Sequence, residues 1–414
     1  MTNAPIRPGQ RLLNGVTLAQ LLADWWEELM WPRVLGAARL GLRPGRLGLA
    51  FFAVVLAWVL LGAGLWADGL VTKVHYPWPW EWMDLRQQML VWPWRVFVSL
   101  PKAVLMNHPV SAVVLGPVLL AAWGCLLGAV SRMTACEMSL GQTISWTDGL
   151  VFSVQRWRSV VGGVLGPLVL IWLIALALGL GGWVLMRWPI LNIAGGLMYG
   201  AALLAGAAAT LLILGYVLAH HLIVPAVMCE GTDAIDAVQR AYTYFFAKPV
   251  RLIAYTLVGL VGFLAVIGVC VVVASWTIGF AAYGSAAWAG QRGNPMVWKP
   301  TLEAAVSLPM SAKAPAAEGA VEGTYAVGAW LIRLWTVTLV VLVWSAVVSC
   351  WMSVSTAVYL AMRRVCDGQD IAELWMPGMV PGAMAQVLEG RSATIAAMGI
   401  SAGSGPAGEE ADYQ

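Results

Sequence analysis

The sequence predicts an all-α integral membrane protein with about six transmembrane helices, arranged as three repeated two-helix hairpins with amphipathic elbow helices on the cytoplasmic face. Three observations predict this class. Only 11% of the residues are charged and 60% are hydrophobic, whereas soluble domains carry about one quarter charged residues. Charge-free apolar stretches recur along the chain, each able to hold the ~20 residues a helix needs to cross ~30 Å of hydrocarbon. A Gly-centred motif recurs where even-numbered stretches end. A β-barrel would instead alternate apolar and polar residues in runs of about ten. Helices satisfy their own backbone hydrogen bonds in lipid, so they are the default spanning element.

The elements follow in chain order. Residues 1–46 read as a cytoplasmic N-terminal segment. Its part Leu18–Leu40 mixes apolar residues with Asp24, Glu27, Glu28 and Arg33, and reads as a helix lying on the membrane surface, broken near Pro32. The membrane domain covers 47–364, with spans near 47–68, 109–131, 159–186, 191–219, 252–280 and 330–361. The first span, preceded by a mostly polar stretch, reads as a signal anchor. The run Tyr76–Leu105, with Trp78, Trp80, Trp82, Trp92 and Trp94, reads as short interfacial helices whose indoles sit at headgroup level. Trp25, Trp26 and Trp31 read as anchors on the other side. A long outside loop covers 281–325, and a cytoplasmic tail covers 365–414. Ala304–Gly323 and Ala393–Gln414 lack the apolar residues to bury a core and are expected to be disordered.

Orientation follows from the basic residues. Arg7, Arg11, Arg33, Arg39, Arg43 and Arg46 precede the first span, and Arg132, Arg156, Arg158, Arg240, Lys248, Arg251, Arg363 and Arg364 flank the same side. The opposite side holds fewer: Lys73, Arg86, Arg95, Lys102, Arg187, Arg292, Lys299, Lys313 and, at the start of span six, Arg333. The bias places both termini in the cytoplasm of a multi-pass cell (inner) membrane protein.

The repeat is legible in short words. Cys229-Glu230-Gly231-Thr232-Asp233 follows span four and Cys366-Asp367-Gly368-Gln369-Asp370 follows span six. The looser Gly141-Gln142-Thr143-Ile144 follows span two. Gly is suited to end a helix, and Asp233, with Thr232, can cap the next one. Thr147 and Asp148 are expected to do the same in the first copy. Equal topology makes the copies parallel rather than inverted. The hairpin, the small-acid-Gly elbow and the amphipathic helix Ala234–Phe246 resemble a group of bacterial six-span membrane proteins that includes the membrane domain attached to some glycerophosphoryl diester phosphodiesterases. The resemblance covers spans two to six and implies a membrane-embedded module. This chain has no room for the soluble phosphodiesterase barrel, so that activity does not carry over.

Candidate chemistry is sparse. The neighbourhoods of the span centres, near Trp58, Leu119, Ile174, Ala205, Val266 and Ser345, contain no Asp, Glu, Lys, Arg or His. Proteins keep charges at such depth only for use, so a charged proton relay is not expected. Gly179, Gly181 and Gly182 are the places where a spanning helix would break to expose carbonyls. Gly259, Gly262 and Gly268 in span five, and Gly196, Gly200, Ala201, Ala205 and Ala209 in span four, invite close helix packing. His220 and His221 are adjacent, so they point to different faces and read as interfacial packing rather than metal ligands. Cys125, Cys270 and Cys350 read as small apolar residues, and Cys136, Cys229 and Cys366 as reduced thiols. The sequence nominates no catalytic, cofactor-binding or metal-binding residue and implies no cofactor. The expected partners are membrane lipids and other membrane proteins, not nucleic acid. The expected function is a non-catalytic module that organises lipids or partner proteins. A transporter or channel for an uncharged or lipid-like solute, and a lipid-modifying enzyme using the elbow acids or His220 and His221, are the alternatives.

Overall fold

Six helices long and apolar enough to cross a bilayer dominate the computed structural model, which describes residues 30–72, 92–188, 191–289 and 324–375. No strand occurs among the described residues. A short helix α1 (Trp31–Gly36) and a 3-10 segment (Ala37–Leu42) lead into span one, α2 (Pro44–Thr72). A helical run from Trp92 ends in α3 (Leu100–Asn107), and span two is completed by α4 (Gly116–Leu140). Elbow helix α5 (Trp146–Gln155) precedes span three, α6 (Trp157–Met186). A short α7 (Leu191–Leu197) precedes span four, which is α8 (Tyr199–Ala219), a 3-10 turn (His220–Leu222) and α9 (Ile223–Glu230). Elbow helix α10 (Ala234–Ala247) leads to span five, α11 (Pro249–Ala289), and α12 (Thr324–Asp367) forms span six.

The three elbow glycines carry the repeat. Gly141, Gly231 and Gly368 have φ of 66°, 63° and 69°, and they are the positive-φ glycines among the described residues. Each ends its helix in the left-handed conformation that costs Gly nothing. Gly141 N–H donates to the Glu137 carbonyl and Gly231 N–H to the Val227 carbonyl. Asp233 then caps α10, its carboxylate accepting from Asp236 N–H at 2.9 Å. In the first copy the cap is Ser145, not Thr147 or Asp148. Ser145 Oγ accepts from Asp148 N–H at 3.1 Å and donates to Asp148 Oδ2 at 2.7 Å. Asp148 is therefore the third helical residue and Thr147 sits inside the first turn. The third copy starts no described helix. It turns at Asp370 and brings Trp375 back onto Cys229, whose carbonyl accepts from Trp375 N–H at 3.1 Å.

The buried core lies at the elbow face. It gathers Met30, Val34, Ala37 and Ala38, the stretch Ala219–Cys229, the inner face of α10 and the stretch Val354–Met362. Helices of 41 and 44 residues are about 60 Å or more long at 1.5 Å per residue. That exceeds the ~40–45 Å of a whole bilayer. Within the apolar windows burial is uneven: 44% in span six, 17% in span five and 6% in span four. Spans one, two and six form the centre, α6 packs on span two, and α8 packs on α6 as the outermost helix.

Three expectations change. The N-terminal segment is not laid on a surface where it is described. Residues 30–42 are wedged between α11 and α12, with Ser349 Oγ donating to the Gly41 carbonyl at 2.7 Å. Pro32 lies in the first turn of α1, where its missing N–H is unpaired anyway; the part of the expected helix before it lies outside the described residues. The glycines of span five serve this wedge: a Cβ on Gly262 would sit 2.2 Å from the Leu35 carbonyl oxygen, whereas Gly268 faces open space. Gly196 and Gly200 also face open space, and Ala201 is exposed. Finally, α6 runs unbroken through Gly179, Gly181 and Gly182. Glycines keep their helical hydrogen bonds; it is span four that tightens into a 3-10 turn, at His220–Leu222, where Pro225 cannot donate to the His221 carbonyl four residues back. Residues 18–29, 73–91, 290–323 and 376–414, including Trp25, Trp26, Trp78, Trp80 and Trp82, lie outside the described residues.

Candidate functional site

Polar side chains converge at the elbow face, and the helix ends explain why. Helix C-termini and turns leave carbonyls without helical partners, and buried arginines answer several of them. Arg132 donates to the Met228 carbonyl at 2.8 Å and the Trp375 carbonyl at 2.7 Å, with its guanidinium 4.3 Å from the Phe152 ring centroid. Arg363, fully buried, donates to the Asp370 carbonyl at 3.0 Å and the Glu373 carbonyl at 2.5 Å. Arg156 donates to the Gly231 carbonyl and lies over the Trp375 ring at 4.9 Å. Arg46, also buried, reaches the Leu40 and Met133 carbonyls at 2.7 and 2.8 Å. It shares Glu137 with Arg43, which approaches at 2.6 Å.

The repeated acids sit in one network. Glu230 is fully buried, accepts from the Tyr359 hydroxyl and lies 2.7 Å from Arg240. Arg240 is also 3.7 Å from Asp367, which accepts from the Tyr244 hydroxyl. Burial pulls the Arg240 pKa down, but Glu230, the phenols of Tyr359 and Tyr244, and Asp367 together leave it raised. Burial, then the hydrogen bond to Asp367, pushes the Tyr244 phenol well above its usual range. Two carboxylates, one arginine and two phenols thus lock the second elbow to the third. On the opposite face Asp68 joins spans one and two: it accepts from Val110 N–H at 2.8 Å and from the Ser111 hydroxyl at 2.5 Å, and caps the helix that starts span two.

A second feature is aromatic. From Phe97 a chain of ring contacts runs to Tyr216 at 6.2 Å, His220 at 5.5 Å, His221 at 5.9 Å, Trp351 at 5.9 Å and Phe263 at 5.6 Å. It joins the helical run before span two to spans four, six and five. His221 Nε2 lies 3.4 Å from Thr256 Oγ1. The adjacent histidines do face differently, their rings 82° apart. Sequence reasoning named the histidines but not the arc, because its members are up to about 250 residues apart in sequence. Trp94, read as an anchor, is exposed; Trp123 and Trp172, inside the spans, instead donate to the Ala53 and Phe97 carbonyls. Among the described residues no three His, Cys, Asp or Glu side chains group as metal ligands would. No protein-family model, curated protein or solved structure matches the chain.

Proposed function

We propose that the protein is a non-catalytic module of a cell (inner) membrane, with both termini cytoplasmic, that organises lipids or partner membrane proteins. One observation carries the reading. The buried charges of the elbow face are used to tie helices together, as Arg46, Arg132, Arg363 and the Glu230–Arg240 pair illustrate. The long apolar faces of spans four and five are meanwhile left to their surroundings. Rigid bracing at one face and uncovered apolar helices in the bilayer suit a body around which other membrane components arrange. The resemblance to six-span membrane modules points the same way.

Isolation from native membranes into polymer-bounded discs, followed by mass spectrometry, tests this. A reproducible lipid class or partner protein enriched over the bulk membrane is expected, with the lipids unchanged on incubation. Lipid turnover would make the protein an enzyme. A transporter of lipid-like solutes has the better claim if reconstituted protein scrambles or moves such a solute. Topology has its own test: a reporter fused at Gln414 is expected to read internal and one inserted at Ala317 external. The reverse pattern would remove the cytoplasmic assignment of the elbows.

A further inference from the structure

The third elbow departs from the other two, and its departure fills a groove. Gly141 and Gly231 each precede an elbow helix, whereas the residues after Gly368 run without helix and dock. Ile371, Leu374 and Trp375 are 3%, 2% and 6% exposed, while Asp370 and Ala372 face outward. The walls of the groove come from the other two copies. The first elbow supplies Phe152 and Arg156, the end of span two supplies Arg132, and the end of span four supplies Cys229 and Gly231. Arg363 of α12 closes the near side.

The groove holds this strap largely by its main chain. Trp375 N–H donates to the Cys229 carbonyl at 3.1 Å, and Arg132 donates to the Trp375 carbonyl at 2.7 Å. Arg363 donates to the Asp370 and Glu373 carbonyls at 3.0 and 2.5 Å. Main-chain hydrogen bonds give affinity and side-chain pockets give specificity, which is how peptide-recognition surfaces are built. The pocket here takes an indole. The Trp375 ring lies 5.8 Å from Phe152, with Arg156 4.9 Å from its centre, and a Cβ on Gly231 would stand 2.7 Å from it. Tryptophan and arginine are the residues that most often anchor an interface. Charge agrees: Asp367, Asp370 and Glu373 are acidic, and the stretch from Asp367 to Trp375 contains no base, facing Arg132, Arg156 and Arg363.

We propose that the groove between the first two elbows is a docking site for an extended acidic segment bearing a tryptophan, carried by a partner protein on the elbow side of the membrane. The chain's own Asp370–Trp375 is the resident competitor that masks it. The proposal rests on the partner-organising reading above and names the partner's chemistry. The strap has a hinge at Gly368, which is exposed, has φ +69° and has open space where a Cβ would stand. A short tether holds its ligand at an effective concentration of about millimolar. A dilute free peptide loses to the tethered strap. A partner confined to the same membrane is itself concentrated, so it competes.

The test uses the full chain with a protease recognition sequence inserted after Gly368, folded in detergent and then cut. The probe is a fluorescent synthetic peptide, Gln369–Trp375, amidated so that its last carbonyl stays an uncharged acceptor. The uncut chain is expected to leave micromolar peptide unbound. The cut chain is expected to shed its C-terminal fragment and bind one peptide in its place. A Trp375→Ala peptide is expected to bind about thirtyfold more weakly, the loss typical of an aromatic anchor. An Asp370→Asn, Glu373→Gln peptide is expected to bind more weakly and with less salt dependence. A fragment that never exchanges, a cut chain that takes up no peptide, or undiminished binding of either variant peptide overturns the proposal. Should the insertion disturb folding, the unaltered chain decides, with a photoreactive form of the peptide at millimolar concentration. Crosslinks confined to α5 and the Gly231 turn support the groove; scattered crosslinks or none overturn it. Enrichment of lipids or partners from native membranes without peptide exchange would leave the organising role standing while the groove fails.

Discussion

Replacing Gly231 by Val is expected to destabilise the protein by roughly 2–5 kcal/mol, the sum of about 1–2 for a left-handed non-Gly residue and about 1–3 for overpacking. Gly231 has φ +63°, and a Cβ there would lie 2.7 Å from the Trp375 ring. That ring cannot retreat easily. It tilts against Phe152 at 5.8 Å, lies under Arg156, and its backbone is held by Cys229 and Arg132. The same change at Gly368, φ +69° with open space around it, is expected to cost only the conformational part, about 1–2 kcal/mol. Unfolding of both variants in detergent against the parent measures the difference. Equal effects at the two glycines would mean that Trp375 does not wedge the elbows together.

The second large effect is expected at the Glu230–Arg240 pair. Removing one partner of a buried pair costs about 3–5 kcal/mol because the other charge is stranded. Here the two halves are unequal: the side chain of Glu230 is 0% exposed and that of Arg240 is 31% exposed. Arg240→Gln strands a buried carboxylate, whereas Glu230→Gln leaves an arginine that water and Asp367 can still reach. Arg240→Gln is therefore expected to be the more damaging. The double variant is expected to cost less than the sum, since no charge is then left alone. Additive losses in a double-mutant cycle would show that the pair contributes no coupling and that Tyr359 alone holds Glu230.

Six spans, their order and the glycine elbows were legible in the sequence because each is a local property. Hydropathy over some twenty residues and a single φ requirement at Gly141, Gly231 and Gly368 do not depend on partners. The cap at Asp233 was legible for the same reason, while Ser145 was missed because Thr147 and Asp148 offered equally plausible caps. What the tertiary structure decided is what depends on distant residues. Arg46 and Arg132 count as flanking cations in a linear reading, yet they are buried on carbonyls 87 and 96 residues away. Residues 30–42 have the composition of a surface helix, but small residues at Gly259 and Gly262 open a slot between α11 and α12 that buries Val34, Ala37 and Ala38 more completely than a surface would. Local free energies select helices one at a time, but burial and pairing of polar groups are set by which helix ends meet, and no stretch of sequence contains that information alone.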